Sequence, residues 1–279
     1  MEKFINRGIM NFVSKYCYKK FFNYNVGHSY LSFRYIFSLR KYISKTDDSI
    51  IDDFEHKFSK LIGNGYCTSF AASRMGFYTI LKTLNVGKSD EVIITGSTCA
   101  VMVNAIIIAG AKPVYSDIDL NTFGSCPESI KSKISSKTKM IIAQHTLGIP
   151  CEIEKILEIS KKGNIFLLED CALSLGSKSS NIIVGNFGDA AIFSTDHSKP
   201  LNTLIGGMVY TKSIDLHKKI NTIKKISPEL SFKHKKLIYL RLLFEKLFYN
   251  NYLYWISKII DKIFFKLKIS FLLEKDSTN

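Results

Sequence analysis

The sequence predicts an α/β protein built as a three-layer α/β/α domain with a mostly parallel sheet. Three observations predict it. Short, almost wholly apolar runs recur, among them Val92-Ile-Ile-Thr95, Met140-Ile-Ile-Ala143 and Ile165-Phe-Leu-Leu168. Strands covered on both faces read this way because neither face meets water. Stretches of helical period lie between these runs, as parallel crossovers require. Polar side chains then stand just after the runs, as at Gln144-His145 and Asp170. Open α/β sheets bind ligands at the carboxyl ends of their strands.

Each element follows in order. Ile51, Phe54, Phe58 and Leu61, spaced by three and four, predict a helix over 48–62 that Gly63-Asn-Gly65 stops. Ala71-Ala-Ser-Arg74 leads into an apolar helix through Leu84. A strand is expected at 92–95, a helix at 102–109, and a strand at 113–115 ending near Asp117 and Asp119. Further strands are expected at 140–143, 165–168, 190–193 and 208–210, with a helix at 153–162. After Thr211 the texture changes, and residues 235–273 form a Leu/Ile/Phe/Tyr-rich run punctuated by lysine and arginine. The expected organisation is a basic aromatic segment at 1–45, the α/β domain at 46–227, and a basic helical segment at 228–279. Residues 1–45 have no clear period and are expected to form irregular structure or short helices.

The formal charge of +15 is unevenly spread. Residues 1–45 carry nine lysines and arginines against Glu2, and residues 212–279 carry fifteen against six acids. The middle is close to neutral, so the charge describes the flanks rather than the α/β core. Basic flanks suit phosphorylated metabolites, anionic lipid or nucleic acid. Large apolar residues beside lysine and arginine stems suit peripheral contact with an anionic membrane surface, although they form no clean amphipathic stripe, and no nucleic acid is expected. The bland reading of 235–273 is a helical layer packed on its own core or on a dimer mate. No run of about 18 apolar residues occurs, which argues against a spanning helix. The six cysteines show no CxxC spacing, and the N-terminus lacks a continuous apolar signal region. A cytoplasmic protein with reduced thiols is expected.

Asp170 and Lys199 are the most telling pair. Asp170 ends one apolar strand, and Lys199 follows the next in Phe193-Ser-Thr-Asp-His-Ser-Lys-Pro200. Two strand tips would offer a carboxylate and an amine to one crevice. Pyridoxal phosphate uses such a pair: the amine forms a Schiff base, and the carboxylate keeps the pyridine nitrogen protonated. Taken singly, Lys199 reads as a surface lysine and Asp170 as a turn cap. Glu169 competes with Asp170, but neighbouring strand residues face opposite sides, so only one of them meets the ring. The histidines show no metal-ligand spacing, so no metal is expected. His145 and His197 are candidates to line the crevice, with a plain loop histidine the alternative for His197.

Six segments carry a resemblance across residues 54–211. They are Ala72-Ser-Arg-Met-Gly-Phe-Tyr78, Ser89-Asp-Glu-Val-Ile93, the stretch from Gly110 to Asp119, Gln144-His-Thr-Leu-Gly-Ile-Pro150, Leu168-Glu-Asp-Cys-Ala172, and Ser194 through Gly207. In this order and spacing the chain resembles the DegT/DnrJ/EryC1/StrS sugar aminotransferases, fold-type I pyridoxal 5'-phosphate enzymes. The resemblance implies that the α/β domain is the large domain of such an enzyme. It makes Lys199 the Schiff-base lysine, Asp170 the pyridinium partner and Ser194 a phosphate-binding hydroxyl. Ser73 and Arg74 match a turn whose backbone N–H groups cradle phosphate at a helix N-terminus. Gly206-Gly207 match a Gly-Gly pair that lets backbone pass close to the cofactor.

The resemblance also marks departures. Leu173 stands where Gln or His is common, Cys99 where an aromatic ring often stacks, and Ile205 where an acid precedes Gly-Gly. The small C-terminal domain of the family has no visible counterpart. The activity implied is transfer of an amino group, from glutamate by analogy, to a nucleotide-linked keto-sugar in polysaccharide or secondary-metabolite synthesis. Retention of Lys199 argues against the sugar-dehydratase branch. The implied assembly is a homodimer. The competing reading is a truncated, non-catalytic relative that acts as a binding or assembly subunit.

Overall fold

The computed structural model describes residues 31–44, 47–196 and 199–248, together with 253, 256, 259 and 260. Two compact units emerge: residues 47–228, and a second that gathers 1–46 with 229–279.

The second unit opens with two short helices, α1 (Phe33–Ser38) and α2 (Lys41–Ser44). Ser32 caps α1 by accepting the Tyr35 N–H at 3.1 Å. The α/β unit begins with α3 (Asp48–Ile62), capped by the Asp47 carboxylate, and then β1 (Tyr66–Phe70) and α4 (Ser73–Thr83). There follow β2 (Glu91–Thr95), α5 (Ala100–Ile108), β3 (Lys112–Ser116), α6 (Pro127–Lys133), β4 (Thr138–Gln144) and α7 (Ile153–Gly163). Next come β5 (Phe166–Asp170), the two-residue strands β6 (Lys178–Ser179) and β7 (Ile182–Ile183), β8 (Ala190–Ser194), β9 (Gly207–Thr211) and α8 (Ile214–Ile226). The last described helix is α9 (Phe232–Phe248), in the second unit. The helical expectation for 235–273 is met as far as Phe248; nearly all of the remainder lies outside the described residues.

One seven-stranded sheet runs in the order β1-β9-β8-β5-β4-β2-β3, and β6 pairs with β7 as a small hairpin. The strands from β8 through β5, β4 and β2 to β3 pair in parallel. β9 is antiparallel to both β8 and β1. The sheet is mostly parallel, as expected, with β9 antiparallel to β8: the chain returns from β8 to β9 through the twelve-residue loop 195–206.

Alternation sorts the buried side chains into two layers. Val92, Ile94, Met140, Ile142, Leu168, Ala190, Ile192 and Val209 pack with α4, α5 and α8. Ile93, Ile141, Ala143 and Leu167 pack with α6 and α7, while Ala191, Phe193, Met208 and Tyr210 pack with α3. These are the three layers that the apolar runs require. The same parity fixes the strand tips. Leu168 and Ile192 face α4, so Asp170 and Ser194, two residues further on, end on the α4 side. Ala143 and Leu167 face α7, so His145 and Glu169 belong to the opposite side.

Candidate active site

Asp170 lies at the carboxyl end of β5 in the middle of the sheet, beside Gln144 on β4 and Ile192 on β8. Its residue is 7% exposed, and the Ala172 N–H reaches its Oδ1 at 3.0 Å. Burial pushes its carboxyl above the usual range; the Ala172 N–H, His145 and the Lys199 ammonium pull the other way. The acid at the β5 tip and the amine of the following loop thus interact electrostatically.

Lys199 sits half-buried in the loop between β8 and β9, its N–H bonded to the Asp196 carbonyl at 2.9 Å. The loop is closed at its base. Thr195 N–H bonds Gly206 O at 3.0 Å, and Thr203 N–H bonds Thr195 O at 2.8 Å. The Thr203 hydroxyl lies 2.7 Å from Thr195 Oγ1 and 2.8 Å from the Ile205 carbonyl. His197, the other candidate in this loop, lies outside the described residues.

The third wall is the N-terminus of α4. Ala72, its cap residue, offers no side-chain acceptor, and the Ser73 hydroxyl is buried without a hydrogen-bond partner. Gly207 makes this wall possible. A Cβ there would collide with the Ser73 N and Cα and come within 2.8 Å of the Ala72 carbonyl carbon. Ala72 forms a parallel bridge with Gly206, and Ser194 pairs with Gly207. The absence of a side chain therefore lets β9 press against the first turn of α4, bringing Ser73 close to Ser194. Arg74 follows with an exposed side chain.

The fourth wall comes from the loop after β2. Cys99 caps α5 in position but makes no side-chain cap bond, and it is exposed. Its neighbour Thr98 carries a second buried hydroxyl without a partner. Gln144 at the tip of β4 donates to the Ser97 carbonyl at 2.9 Å, holding this loop at the mouth. Leu173 is half-buried in the turn after β5.

His145 is placed differently. Both ring nitrogens are engaged inside the protein: the Cys151 N–H reaches Nδ1 at 3.2 Å, and Nε2 lies 3.2 Å from Glu169 Oε2. With Nδ1 accepting, the proton on Nε2 points at Glu169. The ring is buried on the α7 side, so neither nitrogen remains to hold a cofactor. Glu169 is equally committed. Its oxygens accept the N–H groups of Gly185 at 2.7 Å, Phe187 at 2.8 Å and Gly188 at 2.7 Å. Cys171 completes a buried trio with these two, and burial pushes its thiol up to about 12. Full hydrogen-bonding makes the trio a structural brace rather than an open metal site. The acceptor capacity of Glu169 is spent on these partners, on the sheet side opposite Asp170.

Thr98, the Gly207 contact and the paired threonines at the loop base escaped sequence reasoning. A lone threonine or glycine carries no signal until the fold brings a second strand or helix against it.

A family model described as the DegT/DnrJ/EryC1/StrS aminotransferase family matches residues 41–239. The chain belongs to this family. GDP-perosamine synthase of Escherichia coli O157:H7 is 38% identical over 167 residues, 60% of this chain and 46% of the relative. dTDP-3-amino-3,6-dideoxy-alpha-D-galactopyranose transaminase of Aneurinibacillus thermoaerophilus is 35% identical, over 62% of this chain and 48% of the relative. Among solved structures, the aminotransferase of Psychrobacter cryohalolentis superposes with a TM-score of 0.61 at 31% identity. That match covers 63% of this chain and 45% of the other. The chain spans about half the length of the curated relatives it matches. Members of the family depend on pyridoxal phosphate. The cradle fits that group: an uncapped helix end with a partnerless hydroxyl suits a phosphate, and a buried acid near a lysine suits the ring.

Proposed function

We propose that this chain is the cofactor-binding domain of a pyridoxal-phosphate aminotransferase acting on a nucleotide-linked keto-sugar, with glutamate as amino donor. The carrying observation is the electrostatic interaction of Asp170 at the β5 tip with Lys199 of the β8–β9 loop, together with the uncapped N-terminus of α4. The names of the relatives support the substrate class.

Bound here, pyridoxal phosphate would supply an electron sink for charge developing on the donor carbon. Asp170 would face the pyridine nitrogen, and its burial would keep that contact free of competing water. Lys199 would hold the aldehyde end through its amine, which can also serve as a general acid and base. The Ser73 hydroxyl, the first N–H groups of α4 near Arg74, and Ser194 would hold the phosphate. Cys99 and the Thr98 hydroxyl would border the ring. His145 acts from behind the sheet by bracing Glu169 and the β4 and β5 tips. The working form is a cytoplasmic homodimer.

Leu173 and Cys99, which are apolar or weakly polar where a ring contact is expected, favour a second reading as a cofactor-binding, non-catalytic subunit. Incubation with pyridoxal phosphate followed by borohydride separates the cases. The expected result is a visible absorbance band and a reduced adduct on Lys199 that glutamate discharges beforehand. An adduct insensitive to glutamate supports the binding subunit, and a colourless protein without adduct defeats both readings.

A further inference from the structure

The unit formed by residues 1–46 and 229–279 differs in kind from the α/β domain. It holds nineteen lysines and arginines against six acids, so it carries +13 of the chain's +15. It also holds 23 of the 35 aromatic residues in about a third of the length. Nothing in the proposed chemistry uses either feature.

The described part shows how these residues are displayed. Within the unit, Ile36 of α1 and Leu242 of α9 are buried. Phe33, Tyr35 and Phe37 of α1 remain 44%, 52% and 58% exposed. Phe33 stacks on Phe37 at 6.2 Å between centroids, and the Lys246 ammonium of α9 lies 5.4 Å above the Phe33 ring. Arg34, Arg40 and Lys41 are exposed around them. Phe232 and Leu247 of α9 add further exposed apolar surface. Among the described residues no helix is long and apolar enough to cross a membrane.

We propose that this unit docks on an anionic lipid surface, through the stacked Phe33 and Phe37 of α1 with Arg34, Arg40 and Lys41 around them. Three occupants compete for such a face. A second copy would bring the same excess of positive charge against it, which repels. A nucleic acid would satisfy the cations but offer no apolar medium to the exposed aliphatic surface of Leu230 and Leu240 in the same unit. A headgroup layer satisfies both demands. Its anions meet the lysines and arginines, and its acyl boundary accepts aromatic rings while cationic heads remain in water. The inference stands apart from the catalytic reading, because it uses no residue of the cofactor cradle.

The test is co-sedimentation of the full chain with phosphatidylglycerol–phosphatidylcholine vesicles and with phosphatidylcholine vesicles, at low and high salt. Binding is expected only to the anionic vesicles, and salt should release it as screening shortens to about 3 Å at molar strength. Replacing Arg34, Arg40 and Lys41 by Gln should weaken partition by roughly fivefold per charge. The pair Phe33→Ser and Phe37→Ser should weaken it by about tenfold, with an unchanged thermal melt. Absence of binding to anionic vesicles at low salt overturns the proposal. So does equal binding by both variant proteins, sedimentation without vesicles that the variants abolish, or a preference for duplex or single-stranded nucleic acid over the vesicles.

Discussion

Glu169 and Asp170 are adjacent carboxylates at one strand tip, and the structure assigns them opposite duties. Replacing each by its amide separates those duties. In Glu169→Gln one amide oxygen can still accept from Phe187 and Gly188, as Oε1 does now. The new NH2 group then faces the Gly185 N–H and the His145 Nε2–H, both donors. Each buried donor left unmet costs about 1–3 kcal/mol, so two of them cost roughly 2–6 kcal/mol. That is a large part of the about 5–15 kcal/mol that holds a domain together. For a unit of this size, at about 2–4 °C per kcal/mol, it lowers the melting temperature by roughly 4–24 °C. Asp170→Asn should behave otherwise. The asparagine oxygen can keep the Ala172 N–H, and a neutral amide avoids the burial penalty of a carboxylate.

Acidity sharpens the contrast. Burial raises the folded-state pKa of Asp170, so the folded protein holds that proton more tightly than the unfolded chain. The resulting stabilisation is complete below the unfolded value and is lost as pH rises through the folded one. Asp170→Asn removes this dependence. Without cofactor, the variant should therefore gain on the parent protein as pH rises from the acid side to neutrality. Thermal melts of the three proteins at acid and neutral pH, paired with borohydride trapping, read both effects. Glu169→Gln should melt early at both pH values yet trap cofactor at low temperature; Asp170→Asn should melt like the parent at acid pH, above it at neutral pH, and hold cofactor poorly. If Asp170→Asn were the unstable one, the division of labour argued here would be wrong.

Other expectations follow from single contacts. Lys199→Ala should abolish the borohydride-trapped adduct while leaving the melt unchanged, checked by peptide mass spectrometry; persistent adduct would assign the link to another lysine. Gly207→Ala should push β9 off the first turn of α4, cost roughly 2–4 kcal/mol by chemical denaturation, and loosen cofactor phosphate more than the rest of the fold. Alkylation at mildly basic pH should mark Cys99 and spare Cys171, whose buried thiol titrates near 12. Pyridoxal phosphate should protect Cys99, and mass mapping with and without it locates the mouth of the cradle.

The sheet was legible because its strands are buried on both faces. Val92–Ile94 and Met140–Ala143 carry side chains that only a two-sided interior accepts, and their helices follow from apolar spacing. The helix 48–62 was legible to the residue, since both its capping aspartate and its terminating glycine are explicit. β1 was not legible. Tyr66-Cys-Thr-Ser-Phe70 is mixed in polarity, being an edge strand with Tyr66 in water, and it becomes a strand only by pairing with β9. The β6–β7 hairpin and the helix at 127–133 were missed because two-residue strands and a seven-residue helix lack a period. Asp170 and Lys199 were legible from chemistry and resemblance together. The commitment of His145 to Glu169 was not, because it depends on three amides from 185–188 folding under the β5 tip.

The loop from Thr195 to Gly206 connects stability to chemistry most directly. It carries Lys199, and its two ends are tied by the Thr195–Thr203–Gly206 contacts. Leu204 within it adopts φ 69°, a conformation that costs a non-glycine residue about 1–2 kcal/mol. Its side chain is 7% exposed, and burying a leucine returns about 1.5–3 kcal/mol, which offsets that strain. The loop is thus held near balance and depends on its threonine clasp. Thr203→Val keeps the volume and the backbone N–H but deletes the hydroxyl that bridges Thr195 and Ile205. The loss should be about 1–2 kcal/mol of local order, with a small change in global melt. The rate of adduct formation at Lys199 should fall by about tenfold, the equivalent of about 1.4 kcal/mol, because the amine is presented less often to the tip of β5. An unchanged rate would mean that the lysine is positioned by contacts other than the clasp, and that the short return from β8 to β9 serves the sheet alone.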